Sequence, residues 1–448
     1  MTIKLEANAR SIAAHVLERV AHEQAFAAAV LDAAIERYPE LDPRERGLAT
    51  ELAYGALRTA PHIEARLSKY AKRGLDKLDD AVRAHLFIAG YQILFLDRVP
   101  AFAAVSEAVR QITAIRGKTL GSFANAVLRR LSEEPMLDKA AAQVQAIRAS
   151  AAPWLREALQ RALGEEGADR FLQAGAPALS LRVRVGRDRD AEMARLQTLL
   201  SAHGGAVEKG RASPLAVLMR GGSDPRRLAP YREGELTLHE EGAQVIALLL
   251  GAKPGERVLD ACAGRGNKTA LLAELVGETG AVDAADQHPA KLERLVSELR
   301  RLHLAPHATY AVDWTVGTGE APDDYDRVLV DAPCSGIGTL RRRPELAARR
   351  DLASLSELAA LQSEIVVRAA SRLREGGALI YAVCSVLIEE SEQVVEQVLA
   401  RTPWLRSSPF PDGPLRELAG GANQLRLTPH DHGTDGYFIA SFVRVRNG

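Results

Sequence analysis

The spacing of hydrophobic positions divides the chain into a helical front and an alternating back. Up to residue 131, apolar residues recur at intervals of three or four, as at Ile12, Val16 and Val20. This spacing predicts amphipathic helices packed into an all-helical domain. Asp42-Pro43 is a typical helix start, with an acidic cap and a proline in the first turn. The first domain is therefore predicted over residues 1–131.

Two smaller segments follow the helical front. Residues 132–150 carry many polar residues and Pro135, which predict a connector, and residues 151–235 predict a small α+β domain. Within that domain, residues 179–185 alternate as a half-buried strand, whereas Leu196 and Leu200 mark a helix. Arginines on the outward face of the strand would meet either RNA or solvent, and the pattern does not decide between them. These arginines are Arg182, Arg184 and Arg187.

Residues 236–448 alternate between short apolar runs and amphipathic stretches. Runs such as 257–262, 281–286 and 328–330 have the length of buried strands, and a helical pattern follows each of them. Strands that alternate with helices are typical of a parallel sheet covered on both faces. We therefore predict a third domain with a doubly wound, Rossmann-like α/β fold over residues 236–448.

Composition limits the class of protein. The chain has 58 Lys+Arg and 58 Asp+Glu residues, so its net charge gives no argument for nucleic-acid binding. Three cysteines without paired spacing predict a reducing compartment and no disulfide framework. Residues 1–4 do not lead into an apolar signal core, and no apolar run approaches the length of a membrane span. We expect a cytoplasmic monomer without membrane attachment.

Chemically reactive side chains stand where predicted strands end. Asp331 closes the strand 328–330, and Cys334 lies in the loop that follows; Cys384 follows the strand 378–383 in the same way. Ligands bind past the carboxyl ends of strands in open α/β sheets, so one carboxylate and two thiols are expected over a pocket. The alternative is that each cysteine is a small buried hydrophobe, which their place in two strand-end loops disfavours.

A glycine-rich loop follows the first strand of the third domain. Residues 262–268 read Cys-Ala-Gly-Arg-Gly-Asn-Lys, and such glycines let a ligand approach the backbone at a helix amino terminus. The next strand ends at Asp286, where an acid commonly binds ribose hydroxyls, and Asp313 after the third strand is expected near an adenine. Trp314 either stacks on a base or packs in the core. Alone, these features fit NAD as well as S-adenosylmethionine.

The thiol pair with its neighbouring acid resembles the RNA (cytosine-5)-methyltransferases. The order of segments over 236–445, closing with the strand pattern 435–440, resembles the bacterial RsmB-type enzymes that methylate 16S ribosomal RNA. Residues 9–130 resemble a NusB-like RNA-binding domain in helix order and scattered positions. The resemblance implies a Rossmann-like class I methyltransferase domain preceded by an all-α NusB-like domain and a small α+β domain on the RNA side. It removes most of the case for NAD, because hydride transfer needs no thiol pair.

The resemblance also implies residue roles. Cys384 is the nucleophile that adds to C6 of cytosine, and Cys334 helps to remove the C5 proton and release the enzyme. Asp331 binds the N3/N4 edge of the base, and Lys268 supports the site electrostatically. The methyl donor is S-adenosylmethionine, and the target base is flipped out or unpaired. Cofactor contacts are implied for Cys262, Ala263, Gly264, Arg265, Gly266, Asn267, Lys268, Asp286, Asp313 and Asp331.

The glycine-rich loop departs from the family's usual Ala-Pro-Gly-Gly-Lys. Arg265 replaces the proline and Asn267 replaces the second glycine. Asparagine tolerates positive φ, so the turn should survive, but the bulk of Arg265 leaves the cofactor contact open. Two alternatives therefore stand. One is a non-catalytic RNA-binding or antitermination factor with a degenerate methyltransferase fold, and the other is the same chemistry on transfer RNA or 23S RNA.

A run of arginines follows the Cys334 loop. Arg341, Arg342 and Arg343 are expected to contact backbone phosphates of 16S ribosomal RNA, with a solvated surface as the alternative. His288 and His303 have no metal-like spacing with the cysteines, so no metal site is expected.

Overall fold

The computed structural model describes residues 7–72, 74–135, 138–201, 204–222 and 224–446. Residues 1–4, expected to lack a signal core, lie outside them. The described chain divides into two compact units. The helical unit comprises the chain up to Glu157 together with Ala168–Gly175 and Leu340–Arg349, and the sheet unit comprises Ala158–Gly167, Ala176–Thr339 and the chain from Arg350 onward.

The helices, in chain order, are α1 (Ala9–His22), α2 (Ala27–Arg37), α3 (Pro43–Arg58), α4 (Ala60–Ser68), α5 (Asp80–Phe95), α6 (Ala101–Arg116), α7 (Lys118–Ser132), α8 (Lys139–Ser150), α9 (Pro153–Gln173), α10 (Arg189–Ser201), α11 (Ala229–Arg232), α12 (Glu241–Leu249), α13 (Asn267–Val276), α14 (Pro289–Arg301), α15 (Leu346–Arg349), α16 (Leu352–Ala370), α17 (Glu392–Arg401), α18 (Pro414–Leu418) and α19 (Pro429–His432). Short 3-10 turns span Pro225–Arg227, Ile337–Thr339 and Ile388–Glu390.

The strands, in chain order, are β1 (Leu179–Val183), β2 (Ala206–Lys209), β3 (Ala216–Arg220), β4 (Leu236–Leu238), β5 (Arg257–Asp260), β6 (Ala281–Asp286), β7 (Ala308–Ala311), β8 (Tyr325–Asp331), β9 (Leu373–Val383), β10 (Leu405–Ser407), β11 (Gln424–Leu427) and β12 (Tyr437–Arg444).

The helical unit confirms the predicted all-helical front. Asp42 caps α3 by accepting hydrogen bonds from the backbone N–H groups of Arg44 and Glu45, with Pro43 in the first turn. Helix α5 is buried along nearly its whole length, so the other helices pack around it. A helix that is apolar on all sides can only be stable at the centre of a core.

The predicted connector differs from the structure. Residues 132–150 contain α8, which Asp138 caps by accepting a hydrogen bond from the N–H of Ala141. Ala146 of α8 is fully buried in the core of the helical unit. The many alanines of this segment make it a good helix, although its polar residues and Pro135 suggest a break. The other predicted domain boundaries remain predictions.

A small antiparallel sheet begins the main part of the sheet unit. Its strand order is β2-β3-β1-β4, with α10 between β1 and β2 in the chain. Strand β1 and helix α10 agree with the strand and helix predicted for the α+β domain, whereas β2 was not predicted because it carries little apolar content. Leu181, Val183 and Leu196 lie in the core of this small domain.

The expectation that Arg182 points outward is wrong. Arg182 is fully buried, and its guanidinium donates two hydrogen bonds to the carboxylate of Glu274 on α13, at 2.7 and 3.0 Å. The face of β1 that carries Arg182 is covered by α12, where Gln244 donates to the carbonyl oxygen of Leu181. The polar face of an alternating strand is exposed to solvent only when no other element packs against it. Arg184 lies near the same carboxylate.

The large sheet has the order β10-β12-β9-β8-β5-β6-β7, with β11 paired to β12. Strands β5 to β9 pair parallel, and β12 pairs antiparallel with β9, so the predicted closing strand is present. The Rossmann-like prediction is confirmed. All the parallel strands have their carboxyl ends at one edge, and the loops after β5, β6, β8 and β9 carry the predicted site residues there.

Candidate active site

The two predicted strand-end thiols are in contact. Sγ of Cys334 lies 3.1 Å from Sγ of Cys384. Strands β8 and β9 are neighbours in parallel register, with Asp331 opposite Ala382, which places the two following loops side by side. The pKa of the Cys334 thiol is raised well above its usual range, first by its hydrogen bond with Cys384 and then by burial. Cys334 is therefore a neutral thiol that can donate to the other sulfur.

Backbone hydrogen bonds tie the two thiol loops together. Gly338 donates its N–H to the carbonyl oxygen of Cys384 at 2.9 Å, and Gly436 donates to the carbonyl oxygen of Gly338 at 2.8 Å. A Cβ at Gly338 would lie 1.9 Å from the oxygen of Gly436, so only glycine fits this approach.

Asp331 and Lys268 form an ion pair beside the thiols. Nζ of Lys268 donates to Oδ2 of Asp331 at 2.5 Å, and both side chains are mostly buried. Burial alone would lower the pKa of Lys268, but the neighbouring Asp331 reverses the effect and raises it. Lys268 is thus a permanent cation that fixes the carboxylate of Asp331 at the pocket.

The glycine-rich loop is held by the acid at the end of the next strand. Oδ2 of Asp286 accepts a hydrogen bond from the N–H of Gly264 at 3.2 Å, and its Oδ1 accepts from the N–H of His288 at 2.9 Å. Gly264 and Gly266 have φ values of +56° and +89°, which side chains rarely adopt. The loop is therefore shaped by two glycines and one strand-end carboxylate, and the predicted contact of Asp286 with a ribose stays a prediction.

The two departures from the family pattern fall at undemanding positions. Arg265 is exposed, so its bulk extends into solvent. Asn267 is the first residue of α13, does not have positive φ, and donates from Nδ2 to the carbonyl oxygen of Leu238 at 3.1 Å. The reason given for tolerating Asn267, its ease at positive φ, is therefore wrong, because the left-handed positions are the retained glycines.

The loop after β7 differs in part from expectation. Asp313 is exposed, and its Oδ1 accepts hydrogen bonds from the N–H and Oγ1 of Thr315, which lowers the pKa of its carboxyl. Its predicted contact with adenine stays a prediction. Trp314 is buried, and its Nε1 donates to the carbonyl oxygen of Ala261 at 2.7 Å. Packing, rather than stacking on a ligand, is the role of Trp314.

Sequence reasoning missed Asp260. This residue ends β5, is 1% exposed, and accepts a hydrogen bond from Oγ1 of Thr269 through Oδ2, while its Oδ1 has no partner among the described residues. Burial raises the pKa of Asp260 to about 6. The rule that identified Asp331 and Asp286, an acid at a strand's carboxyl end, would also have identified Asp260.

The arginine run lies in the helical unit. Because Leu340–Arg349 packs there, Arg341 is only 8% exposed, and it lines a cavity of about 790 Å³ within that unit. The guanidinium of Arg58 donates to the carbonyl oxygen of Arg341 at 2.9 Å. Phosphate contact by Arg341 is therefore corrected to a packing role. For Arg342 and Arg343 phosphate contact remains a prediction.

None of the helices in the part of the chain that the structure describes is long and apolar enough to cross a membrane. Over the same residues, no group of three or more His, Cys, Asp or Glu side chains is arranged to hold a metal ion.

Comparisons with known proteins match both parts of the chain. The family model of the 16S rRNA methyltransferase RsmB/F matches residues 247–443, and the NusB family model matches residues 7–133. The ribosomal RNA small subunit methyltransferase B of Pseudomonas putida is 32% identical over 98% of this chain and 99% of its own length. The probable ribosomal RNA small subunit methyltransferase B of Bacillus subtilis is 32% identical over 96% of this chain and 98% of its own length.

Solved structures show the same fold. The crystal structure of PH0851 has a TM-score of 0.81 at 24% identity and covers 98% of this chain and 100% of its own. NSun6 from Pyrococcus horikoshii with SFG has a TM-score of 0.56 at 18% identity, covering 66% of this chain and 99% of its own. The full-length relatives confirm the resemblance stated from the sequence. This chain belongs to the RsmB/F family of 16S rRNA methyltransferases and carries an N-terminal domain of the NusB family.

Proposed function

We propose that this protein transfers a methyl group from S-adenosylmethionine to C5 of a cytosine in 16S ribosomal RNA, through a covalent bond between Cys384 and C6 of the base. The observation that carries the proposal is the contact of two thiols at neighbouring strand ends, 3.1 Å apart, with the Asp331–Lys268 pair beside them. This chemistry requires a thiolate nucleophile at C6 and a base for the C5 proton, and two adjacent thiols can fill these two roles.

The residues after β5 and β6 fit the cofactor. The loop at Gly264 leaves its backbone open, since a Cβ there would meet only one atom, at 4.0 Å. The unpartnered Oδ1 of Asp260 supports a polar ligand in this pocket, because a buried carboxylate oxygen without a partner is costly. Asp286 and Asp313 are proposed to meet the ribose and the adenine. When bound, S-adenosylmethionine supplies an electrophilic methyl group.

Cys384 opens the reaction. Its thiolate adds to C6, and the electron pair of the C5–C6 double bond moves to C5, which becomes nucleophilic enough to accept the methyl group. S-adenosylmethionine, held at the loop of Gly264 and Asp286, would supply this methyl group and would keep the electron pair of its carbon–sulfur bond on sulfur. Cysteine suits the step because its thiolate is both accessible near neutral pH and strongly nucleophilic.

Cys334 closes the reaction. In the resting enzyme its hydrogen bond to Cys384 is the first cause of its raised pKa. Once Cys384 is a thioether, that cause is lost, so Cys334 gives its own proton to solvent more easily, and the resulting thiolate accepts the C5 proton. The electrons of the C–H bond restore the C5–C6 double bond, and the Cys384–C6 bond breaks with its electron pair on sulfur.

Asp331 selects the base. A carboxylate accepts hydrogen bonds only, so Asp331 pairs with the N4 amino group of cytosine and finds no donor at the corresponding O4 of uracil. Lys268 holds the carboxylate in place through their ion pair. A base inside a helix must be flipped out to reach these side chains. The NusB-family domain is proposed to bind the RNA, and the exposed Arg343 is proposed to contact its phosphates.

The test separates the two thiols. Purified Cys384→Ala and Cys334→Ala proteins are incubated with 16S ribosomal RNA and methyl-labelled cofactor, then run on a denaturing gel. We expect Cys384→Ala to give neither methylation nor adduct, because no enamine can form. Cys334→Ala should methylate once and remain bonded to the RNA through Cys384. Cys262→Ala, the remaining cysteine variant, should trap no complex.

Any other result would contradict part of the proposal. A stable complex from Cys384→Ala alone would reverse the two roles. Full activity without a complex in both variants would show that both cysteines are structural. Bisulfite sequencing of ribosomal and transfer RNA from a deletion strain locates the target, and loss of a modified cytosine only in transfer RNA or 23S RNA would overturn the 16S assignment.

A further inference from the structure

A fully buried carboxylate lies behind the thiol pair. Glu390 ends the 3-10 turn Ile388–Glu390 in the loop that follows Cys384, and it is 0% exposed. Burial of a carboxylate is unfavourable unless hydrogen bonds replace its hydration. The partners of Glu390 therefore indicate what this side chain does.

Those partners belong to the loop of the other thiol. Oε1 of Glu390 accepts a hydrogen bond from the N–H of Ser335 at 2.7 Å, and Oε2 accepts from Oγ of Ser335 at 2.5 Å. Ser335 directly follows Cys334. Both hydrogen-bond donors of the residue next to Cys334 are thus taken by one carboxylate.

A glutamine forms further hydrogen bonds with this loop. Nε2 of Gln362 on α16 donates to Oε1 of Glu390 at 3.0 Å and to the carbonyl oxygen of Pro333 at 2.9 Å. The hydrogen-bonded pair of Gln362 and Glu390 therefore holds the residues on both sides of Cys334. Glu390 itself is held by the hydroxyl of Tyr381 on β9, which donates to its backbone oxygen at 2.7 Å.

We propose that Glu390 is a positioning residue for Cys334: it spans from the Cys384 loop to Ser335 and holds the Cys334 thiol where it takes the C5 proton and releases the product. This inference rests on the proposed function, because it assigns a release step to Cys334. Glu390 does not touch the substrate, and it acts only through the placement and the ionisation of Cys334.

The charge of Glu390 offers a readout that simple packing lacks. The titratable or charged groups that face Cys334 and its loop are Cys384, Glu390, Tyr381 and Arg350, whose Nε donates to the carbonyl oxygen of Ser335 at 3.1 Å. The negative charge of Glu390 is among the causes that raise the pKa of Cys334, after the hydrogen bond with Cys384 and burial. A neutral residue at this position should lower that pKa.

The test variant is Glu390→Gln. Its Oε1 can still accept from the N–H of Ser335, and its amide can donate to Oγ of Ser335, so the shape is kept while the charge is lost. The matched control is Glu389→Gln, because the neighbouring carboxylate pairs with Arg161 instead. Thermal unfolding of both proteins reports whether they fold.

The first measurement needs neither RNA nor cofactor. In a Cys384→Ala background, alkylation of Cys334 by iodoacetamide is followed across pH by peptide mass spectrometry. We expect Glu390→Gln to shift the pH profile to lower pH and to alkylate several-fold faster at neutral pH, and Glu389→Gln to match its parent. The Cys384→Ala background removes the other thiol, so only the charge of Glu390 differs.

The second measurement uses the otherwise unchanged enzyme with 16S ribosomal RNA and cofactor. We expect Glu390→Ala, which removes the bridge to Ser335, to transfer methyl at a near wild-type rate in the first turnover and then to release the RNA at least about tenfold more slowly, so that covalent complex accumulates although Cys334 is present. Glu390→Gln keeps the bridge and lowers the pKa of Cys334, so it should release the RNA at least as fast as the wild type. The Glu389→Gln protein should release at the wild-type rate.

Each possible outcome either supports or overturns the inference. A folded Glu390→Gln protein with unchanged alkylation, or a folded Glu390→Ala protein with wild-type release, would overturn the inference. If Glu390→Ala does not fold, Ser335→Ala removes one donor and keeps the carboxylate, and normal release by Ser335→Ala would overturn it equally. If Cys334→Ala traps no complex, the proposed function fails instead, and the alkylation profile alone then supports or overturns the action of Glu390 on Cys334.

Discussion

Replacement of Gly338 by alanine should separate the two thiol loops. Gly338 lies in the turn Ile337–Thr339 and is bonded through its N–H to Cys384 and through its carbonyl oxygen to Gly436. An added Cβ would lie 1.9 Å from the oxygen of Gly436 and 2.8 Å from that of Cys384. Both contacts are with backbone atoms, so no side-chain rotation relieves them, and one of the loops has to move.

The size of the effect follows from the bonds that the movement breaks. Two backbone hydrogen bonds at about 1 kcal/mol each give about 2 kcal/mol. If this cost falls on the catalytically active loop arrangement, kcat/KM decreases roughly 30-fold. Methylation kinetics measure the decrease, and thermal unfolding shows whether the fold is retained.

The matched control for Gly338→Ala is Gly175→Ala. A Cβ at Gly175 meets nothing within 4 Å, and its φ is not in the left-handed region. The control should keep the wild-type kcat/KM. A Gly338→Ala enzyme with wild-type kcat/KM and wild-type Tm would refute the argument that the close approach of these two loops sets the activity.

Three further predictions follow from described contacts. Asp286→Ala should weaken binding of S-adenosylmethionine about tenfold or more in calorimetry. The substitution removes the hydrogen bond that holds the glycine-rich loop and also removes the carboxylate proposed to bind the ribose. Glu274→Ala should lower the free energy of unfolding by about 3–5 kcal/mol in chemical denaturation, because it leaves the guanidinium of Arg182 buried without its partner. The double variant Arg182→Met with Glu274→Leu should recover most of this loss, because it replaces the buried ion pair with apolar side chains. Hydrogen peroxide should convert Cys334 and Cys384 into a disulfide with loss of two hydrogens in the intact mass, and dithiothreitol should restore methylation; oxidised protein whose two thiols both still alkylate would contradict the 3.1 Å contact.

The placement of the site followed from the sequence because it depends on a general property of parallel sheets. Asp331, Cys334 and Cys384 each lie where a strand ends, and carboxyl ends of parallel strands share one edge. The contact between the thiols could not be predicted from that rule. It requires β8 and β9 to be adjacent, which the order of strands along the chain does not determine.

Residues with partners distant in the chain were the ones that sequence reasoning misjudged or missed. Arg182 stands on an alternating strand, yet its partner Glu274 is 92 positions away and covers it. Arg341 belongs to a charged run, yet it packs in the helical unit. Glu390 stands in an acidic pair, and its partner Ser335 is 55 positions away. Periodicity reports the local face of an element and not the segment that will cover it.

The structure bears directly on the hypothesis of a non-catalytic factor with a degenerate methyltransferase fold. Its support in the sequence was the pair of replacements at Arg265 and Asn267. Both fall where the backbone requires nothing special, since one side chain is exposed and the other residue is the ordinary first residue of α13. The strained positions, Gly264 and Gly266, are unchanged. A chain that had lost cofactor binding would not be constrained to keep left-handed glycines, so the replacements give no structural reason to expect that loss, and calorimetry on the wild-type protein is the direct test.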